Sequence, residues 1–168
     1  GRRPQAEVEY KHALAAIELL HGDDPSNATY ASRYASVVNN LGLVKLASRD
    51  YSQAEESLTR ALRIREELAA RDPENLGYSA GLSFSYHDLG RTLEAAARLE
   101  EAEACYRKAV ERKENVLAAS PRDPESRFQL ASSYAAYSRL LRKMNKRREA
   151  MFAGEKAAGL YRALADDY

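Results

Sequence analysis

The chain repeats its pattern of small and bulky residues every 48 positions. In DYSQAEESLTRAL (residues 50–62) a bulky Leu58 stands between Ala54 and Ala61, and LEEAEACYRKAV repeats this order. Steps of 48 residues connect Ala6, Ala54, Ala102 and Ala150; Ala13, Ala61, Ala109 and Ala157; Tyr10, Leu58, Tyr106 and Gly154; and Pro25, Pro73 and Pro121. A fixed period of about 20–50 residues indicates stacked structural units. This repeat constrains the fold more than any other feature of the sequence.

Each unit has the hydrophobic pattern of two antiparallel helices. Apolar residues recur at threes and fours in NATYASRYASVVNNLGLVKLA, which predicts a helix that buries one stripe. We expect helices at about residues 4–21, 28–48, 51–71, 75–97, 99–119, 124–143 and 146–166. No segment has the alternation of a strand, so the predicted fold is all-α.

Polar residues at the predicted helix starts fit the roles of caps. Asn27 and Asn75 lie where an N-cap is expected, and Asp50 with Gln53 resembles a capping box. Asn145 is predicted to cap the last helix. We expect one domain over residues 1–168, a fragment of a longer protein, with units at about 1–48, 49–96, 97–144 and a partial unit at 145–168.

Small residues recur in the middle of the predicted helices. Gly42 and Gly90 are 48 residues apart, and Ser138 takes the same place in the next unit. Glycine inside a helix costs about 1 kcal/mol relative to alanine, so its recurrence predicts a close approach of two backbones. The bulky residues between the paired alanines are the predicted partners of these small positions.

These residues resemble the tetratricopeptide repeat. In that family a Leu-Gly pair is followed twelve residues later by an alanine, as Gly42 is followed by Ala54 and Gly90 by Ala102. The family period is about 34 residues, and each helix here is longer by about seven residues, or nearly two turns, which keeps the buried stripe in phase. DPENLGYSAGLSFSYHDLG is similar to long bacterial repeats, including arrays attached to serine/threonine kinases. The resemblance implies a right-handed α-solenoid of about seven helices in antiparallel pairs.

The same resemblance implies a groove that binds a partner protein or peptide. In the family the first helix of each unit lines the concave face, which here would present Ser36, Asn39, Asn40, Leu43, Phe84, His87, Asp88, Arg91, Ser132, Ala135, Arg139 and Arg142. A subset of the family holds a peptide carboxylate with lysine and asparagine. Leu43 and Asp88 stand where such residues would be needed, so binding of chaperone tails is disfavoured.

A basic segment, RLLRKMNKRREA, follows the last groove positions. Its cations are Arg139, Arg142, Lys143, Lys146, Arg147 and Arg148. One interpretation is a docking patch for an acidic peptide, a phosphorylated segment or nucleic acid. The favoured interpretation is a solvated helix end, where basic side chains complement the helix dipole.

Composition and motifs argue against catalysis. The formal net charge is +1, and Cys105 is the only cysteine, so an intrachain disulfide is excluded. His12, His21 and His87 lie in three different units without metal-ligand spacing, and no glycine run could cradle a phosphate. We therefore expect no enzyme activity, no cofactor and no metal.

Other sequence features bear on location and partners. No apolar run approaches the roughly 20 residues needed to span a bilayer and no signal peptide opens the chain, so we expect a cytoplasmic protein without membrane contact. Nucleic acid is an unlikely partner because no aromatic platform interleaves with the basic residues. The last helix carries an apolar stripe, Met151, Ala157, Leu160, Tyr161 and Leu164, which flanking sequence or a second copy in a homodimer would cover.

Three functional hypotheses follow. The first is a non-catalytic scaffold or interaction module that binds a peptide or protein segment in the groove. The second is a regulatory segment of a larger bacterial signalling protein such as a serine/threonine kinase. The third is a polyanion binder that uses the basic residues 139–148.

Overall fold

The computed structural model describes residues 2–166, and seven α-helices with short connections make up this part of the chain. They are α1 (Arg2–Asp23), α2 (Ala28–Ala47), α3 (Tyr51–Arg71), α4 (Leu76–Ala95), α5 (Leu99–Ala119), α6 (Pro124–Lys143) and α7 (Arg147–Asp166). The helices stack in chain order as antiparallel pairs, and the described residues contain no strand. The predicted all-α solenoid is confirmed, and each helix end lies within two residues of its prediction.

The helices form two layers. Each helix packs against its neighbours in the chain, most extensively in the pairs α2–α3, α4–α5 and α6–α7, and α2 also contacts α4. Side-chain hydrogen bonds join α2 to α4 through Asn39 and Asp88, and α4 to α6 through His87 and Ser133. We call α2, α4 and α6 the inner layer, and α1, α3, α5 and α7 the outer layer.

The small residues of the inner layer receive bulky side chains from the outer layer. A Cβ placed on Gly42 would lie 2.8 Å from Cγ of Leu58, and one on Gly90 would lie 3.3 Å from Cδ1 of Tyr106. Leu58 and Tyr106 are fully buried. In the third pair Gly154 faces Ser138, whose hydroxyl donates a hydrogen bond to the carbonyl of Ala150 at 2.7 Å. The predicted close approach is confirmed in all three pairs.

One kind of connection leads from each outer helix to the next inner helix. It contains the repeated proline and ends on an N-cap whose own backbone N–H donates to the carbonyl three residues earlier. The side chains of Asn27 and Asn75 each accept two backbone N–H bonds of the following turn, which confirms both predicted caps. Asp123 was not predicted as a cap, and its side chain accepts one such bond, from the backbone N–H of Ser126.

The other kind of connection leads from each inner helix to its outer partner through a non-glycine residue with positive φ. These residues are Arg49 (62°), Ala97 (61°) and Asn145 (59°), again 48 positions apart. Around Ala97, Arg98 N–H donates to the carbonyl of Leu93 and Ala97 N–H to that of Glu94, which is the Schellman arrangement of a helix C-terminus.

This geometry corrects the role predicted for Asn145. Asparagine tolerates the left-handed conformation better than most residues, so Asn145 ends α6 instead of capping α7. At the equivalent turn two units earlier in the array, Asp50 accepts a hydrogen bond from the backbone N–H of Gln53 at 3.2 Å, which is one of the two bonds of the predicted capping box.

Glutamates at 48-residue spacing bind tyrosines of the inner layer. The hydroxyls of Tyr34, Tyr86 and Tyr134 donate to Glu18, Glu66 and Glu114 at 3.1, 2.7 and 2.5 Å. All three rings are buried. These three tyrosines therefore serve the packing of each inner helix against the preceding outer helix.

The apolar stripe predicted on α7 is divided between two faces. Ala157 is buried with Ala150 and Ala153 against α6, whereas Met151 and Tyr161 are exposed. Leu160 and Leu164 are half-buried. Self-association through this helix stays a prediction.

The close approach at Gly42 leads to a prediction about stability. Gly42→Ala should lower the free energy of unfolding by about 1–2 kcal/mol, because the overpacking of Leu58 and the Ala54 carbonyl outweighs the gain in helix propensity. Gly159→Ala is the matched control, since a Cβ there meets nothing within 4 Å, and it should stabilise by up to about 1 kcal/mol. Urea unfolding would compare them, and equal effects would contradict the close packing.

The left-handed turns give a second prediction. Ala97 is exposed, so Ala97→Gly should stabilise the protein by about 1 kcal/mol through relief of the positive φ. Ala158→Gly, at an exposed site inside α7, should instead destabilise it by about 0.5–1 kcal/mol. Thermal and urea unfolding would measure both changes, and a loss of stability in both variants would show that the turn is not strained.

Candidate partner-binding groove

The twelve predicted groove residues all lie on the inner layer but differ in accessibility. Asn39 is buried. The half-buried members are Asn40, Leu43, His87, Asp88 and Ser132, and the exposed members are Ser36, Phe84, Arg91, Ala135, Arg139 and Arg142. The exposed members are therefore the ones available for direct contact with a partner.

A buried network built on Arg65 of α3 braces the first part of this wall. Arg65 Nη1 donates to Ser85 Oγ at 2.6 Å and to Asn39 Oδ1 at 3.1 Å. Asn39 Nδ2 in turn donates to Asp88 Oδ2 at 2.9 Å. Burial lowers the pKa of Arg65, an effect that the nearby Asp88 carboxylate opposes. Asn39 and Asp88 thus use their hydrogen-bonding groups to hold α2 against α4.

Lys113 of α5 repeats this arrangement 48 residues after Arg65. Its ammonium donates to Ser133 Oγ at 2.9 Å and to the carbonyl of Gln129 at 3.3 Å, and it lies 4.8 Å from the centre of the Phe84 ring. Lys113 is only 5% exposed, and burial lowers its pKa to about 8. Hydrogen bonds and the ring face together compensate for the loss of water around this charge.

His87 completes this second network. Its Nδ1 lies 3.2 Å from Ser133 Oγ, and its ring contacts Tyr106 edge-to-face. Burial, and then the charge of Lys113, lower the pKa of His87 to about 4, so the imidazole is neutral near pH 7. His87 therefore contributes no charge to the groove.

Glu94 binds a cluster of cations near the C-terminal end of α4. Its carboxylate accepts hydrogen bonds from the Tyr106 hydroxyl at 3.0 Å, from Arg139 at 3.2 Å and from Lys143 at 2.6 Å. Burial alone would raise the pKa of Glu94, but the bonds from Arg139, Lys143 and Tyr106 outweigh it and hold the pKa below its usual value. Glu94 therefore stays ionised beneath two exposed cations.

The six basic residues predicted as a patch are divided among different environments. Arg139 and Lys143 belong to the Glu94 cluster. Lys146 binds Glu103 at 2.6 Å, as Arg98 binds Glu55 one unit earlier, so it links successive outer helices. Arg142, Arg147 and Arg148 are exposed and form no ion pair within residues 2–166.

Sequence reasoning did not select Arg65, Lys113 or Glu94. The 48-residue spacing of Arg65 and Lys113 was the available signal, because a repeated cation at a buried position needs a repeated set of partners. The cluster of cations around Glu94 is not repeated elsewhere in the described array. The 48-residue pattern therefore could not identify Glu94.

The described residues hold few groups suited to chemistry. No cluster of three or more histidine, cysteine or acidic side chains that could bind a metal occurs among them. Burial raises the pKa of the half-buried Cys105 thiol, which lowers its nucleophilicity. Over the same residues, no helix combines the length and the apolar character needed to cross a membrane.

The buried cation Lys113 leads to a prediction about pH. Its pKa is about 8 in the folded protein against 10.5 ordinarily, so the unfolded chain binds more protons between these values and stability rises with pH across that window. Between about pH 7 and 9.5 this group should add about 2 kcal/mol to the free energy of unfolding.

Lys113→Met removes this titrating group and keeps much of the side-chain volume. The increase in stability with pH should therefore be smaller in the variant than in the wild type, as measured by urea unfolding at both pH values. Tyrosine ionisation affects both proteins equally and cancels in the comparison. An identical pH dependence would show that Lys113 is not buried as a cation.

Comparisons with known proteins agree with this architecture. The family model of the tetratricopeptide repeat matches residues 33–115. The crystal structure of BtubC (BKLC) from P. vanneervenii is similar over 98% of this chain, with a TM-score of 0.70 and 16% sequence identity. The matched region is 59% of the BtubC chain, and at this identity the likeness concerns the fold alone.

Two further results complete the comparison. The crystal structure of MamA aligns over 96% of this chain and 94% of its own, with 15% identity and a TM-score of 0.38, which is too low to bear on the fold. No curated protein sequence matches the chain. Residues 33–115 therefore match the tetratricopeptide repeat, and the seven described helices have the all-α solenoid fold that this resemblance implies.

Proposed function

We propose that this protein is a non-catalytic interaction module that binds a peptide or protein segment along its inner layer. Tetratricopeptide repeats generally act in this way, and the division of the inner-layer side chains supports the proposal. Asn39, His87 and Asp88 are bound internally, whereas Phe84, Ala135 and Arg139 of the same layer are exposed. A braced wall with exposed side chains of mixed character is suited to recognition.

The bracing matters because it reduces the entropy lost on binding. Arg65 and Lys113 each join one outer helix to residues of the inner layer, so the inner helices are held before any partner arrives. A surface held in its binding geometry loses less conformational freedom when the complex forms. The two networks are the observation that most supports a preformed groove.

Phe84 is the proposed apolar anchor of the groove. It is 40% exposed, and its ring lies over the ammonium of Lys113, which restricts its position. Aromatic side chains held in this way often dominate the binding energy of an interface. The inner-layer neighbours one unit away on either side are the smaller Ser36 and Ser132, so Phe84 stands out from the wall.

Selection of peptides from a random displayed library would test the proposal. Peptides that bind the wild type should lose roughly tenfold in affinity for the double variant Phe84→Ala with Ala135→Tyr, which removes the anchor and blocks the groove. The matched control makes the same exchanges on α7, Phe152→Ala with Ala158→Tyr, at two exposed positions. Equal binding to both variants would place the recognition surface elsewhere.

A further inference from the structure

We propose that the partner segment is acidic and that its carboxylates bind in a cleft lined by the C-terminal parts of α2, α4 and α6. This inference rests on the proposed function and specifies the chemistry of its ligand. The cleft has a volume of about 320 Å³ and is lined by Leu46, Arg91, Glu94, Ala95, Arg139 and Lys143. Three of these six residues are cations and only one is an acid.

The inner layer concentrates positive charge that the whole chain does not have. The helices of the inner layer carry seven cations and three carboxylates: Arg33, Lys45, Arg91, Arg127, Arg139, Arg142 and Lys143 against Asp88, Glu94 and Glu125. This is an excess of four positive charges, whereas the chain as a whole has a formal net charge of +1. The remaining surface is therefore net negative, which favours approach of an acidic segment to this layer over any other.

The Glu94 cluster fixes the cations in position and leaves them partly accessible. The side chain of Glu94 is 7% exposed, while those of Arg139 and Lys143 are 59% and 53% exposed. One buried carboxylate cannot neutralise both cations, and each retains N–H groups directed to solvent. Because Glu94 already restricts their rotamers, a ligand carboxylate would meet a site that is partly ordered in advance.

Arg91 extends the cleft along α4. Its side chain is 48% exposed and lies 3.5 Å from Asp88, a longer contact than either ion pair of Glu94. A guanidinium can form two parallel hydrogen bonds with a carboxylate, which makes arginine well suited to acidic side chains. Arg91 and Arg139 therefore give the cleft two groups for bidentate binding.

The composition of the cleft favours a peptide over a nucleic acid. Its apolar lining consists of Leu46 and Ala95, and no aromatic side chain lines it to stack on a base. Phe84, the nearest exposed aromatic on α4, lies seven residues before Arg91, which is about 10 Å along the helix. That separation matches about three residues of an extended peptide, so one segment could contact both Phe84 and the cleft.

Fluorescence anisotropy with a labelled peptide of alternating Glu and Gly would test the inference. The wild type should bind this peptide and should not bind the corresponding Gln-Gly or Lys-Gly peptides. Arg91→Gln, Arg139→Gln and Lys143→Gln together should weaken binding roughly tenfold. The control triple variant Arg63→Gln, Arg112→Gln and Arg148→Gln removes the same charge from exposed positions outside the cleft and should bind within about twofold of the wild type.

A second variant distinguishes a loss of binding from misfolding. Arg91→Gln with Arg142→Gln keeps both cationic partners of Glu94, so the buried carboxylate retains its ion pairs. This double variant should lose roughly threefold in affinity. Full binding by this variant and by the triple variant would overturn the inference. Equal losses in the control triple variant would also overturn it, because they would show only a general effect of net charge.

Two outcomes separate this inference from the proposed function. If displayed peptides bind through Phe84 and Ala135 but are not enriched in Asp and Glu, the groove is correct and the acidic partner is wrong. If a single-stranded oligothymidylate binds as tightly as the Glu-Gly peptide, and loses affinity in the same variants, the cleft is a general polyanion site and the peptide assignment fails.

Discussion

The contact between a small residue of the inner layer and a bulky residue of the outer layer determines how the rest of this structure is built. Gly42 allows Leu58 to approach its backbone, and Gly90 does the same for Tyr106. Once this distance is fixed, residues 48 positions apart occupy equivalent places in successive pairs. The left-handed turns, the glutamates that bind the tyrosines and the bracing cations Arg65 and Lys113 all follow the same spacing. The repeat is therefore a consequence of helix packing as well as a pattern in the sequence.

Local interactions explain why so much of the fold could be predicted. Helix periodicity and the caps Asn27 and Asn75 depend on residues close in sequence, and the helix ends were correct to within two residues. Asn145 shows the limit of this reasoning, because asparagine suits both an N-cap and a left-handed turn and the sequence does not distinguish them. Ala97 stands at the position of Asn145 one unit earlier, and alanine has no side-chain oxygen that could cap a helix. This comparison could have identified Asn145 as a left-handed turn residue.

The candidate site was less predictable because it depends on contacts between distant helices. The family resemblance placed Asn39 and His87 on the inner layer, where the structure also has them, but it could not show that their polar groups bind Arg65, Ser85 and Ser133. Hydrogen bonds between residues 20–49 positions apart require the packing to be known first. The charge excess of the inner layer is visible only after the helices have been assigned to the two layers.

The turns around Arg49, Ala97 and Asn145 also make the array modular. Each closes its helix with backbone bonds to residues only three to five positions earlier, so its geometry depends little on the rest of the molecule. Joining Arg49 directly to Arg98 would delete one whole unit and rebuild the same turn at the junction. A gene encoding such a chain can lengthen or shorten by duplication or loss of 48 codons, and the groove changes in length while each remaining segment of its wall is preserved.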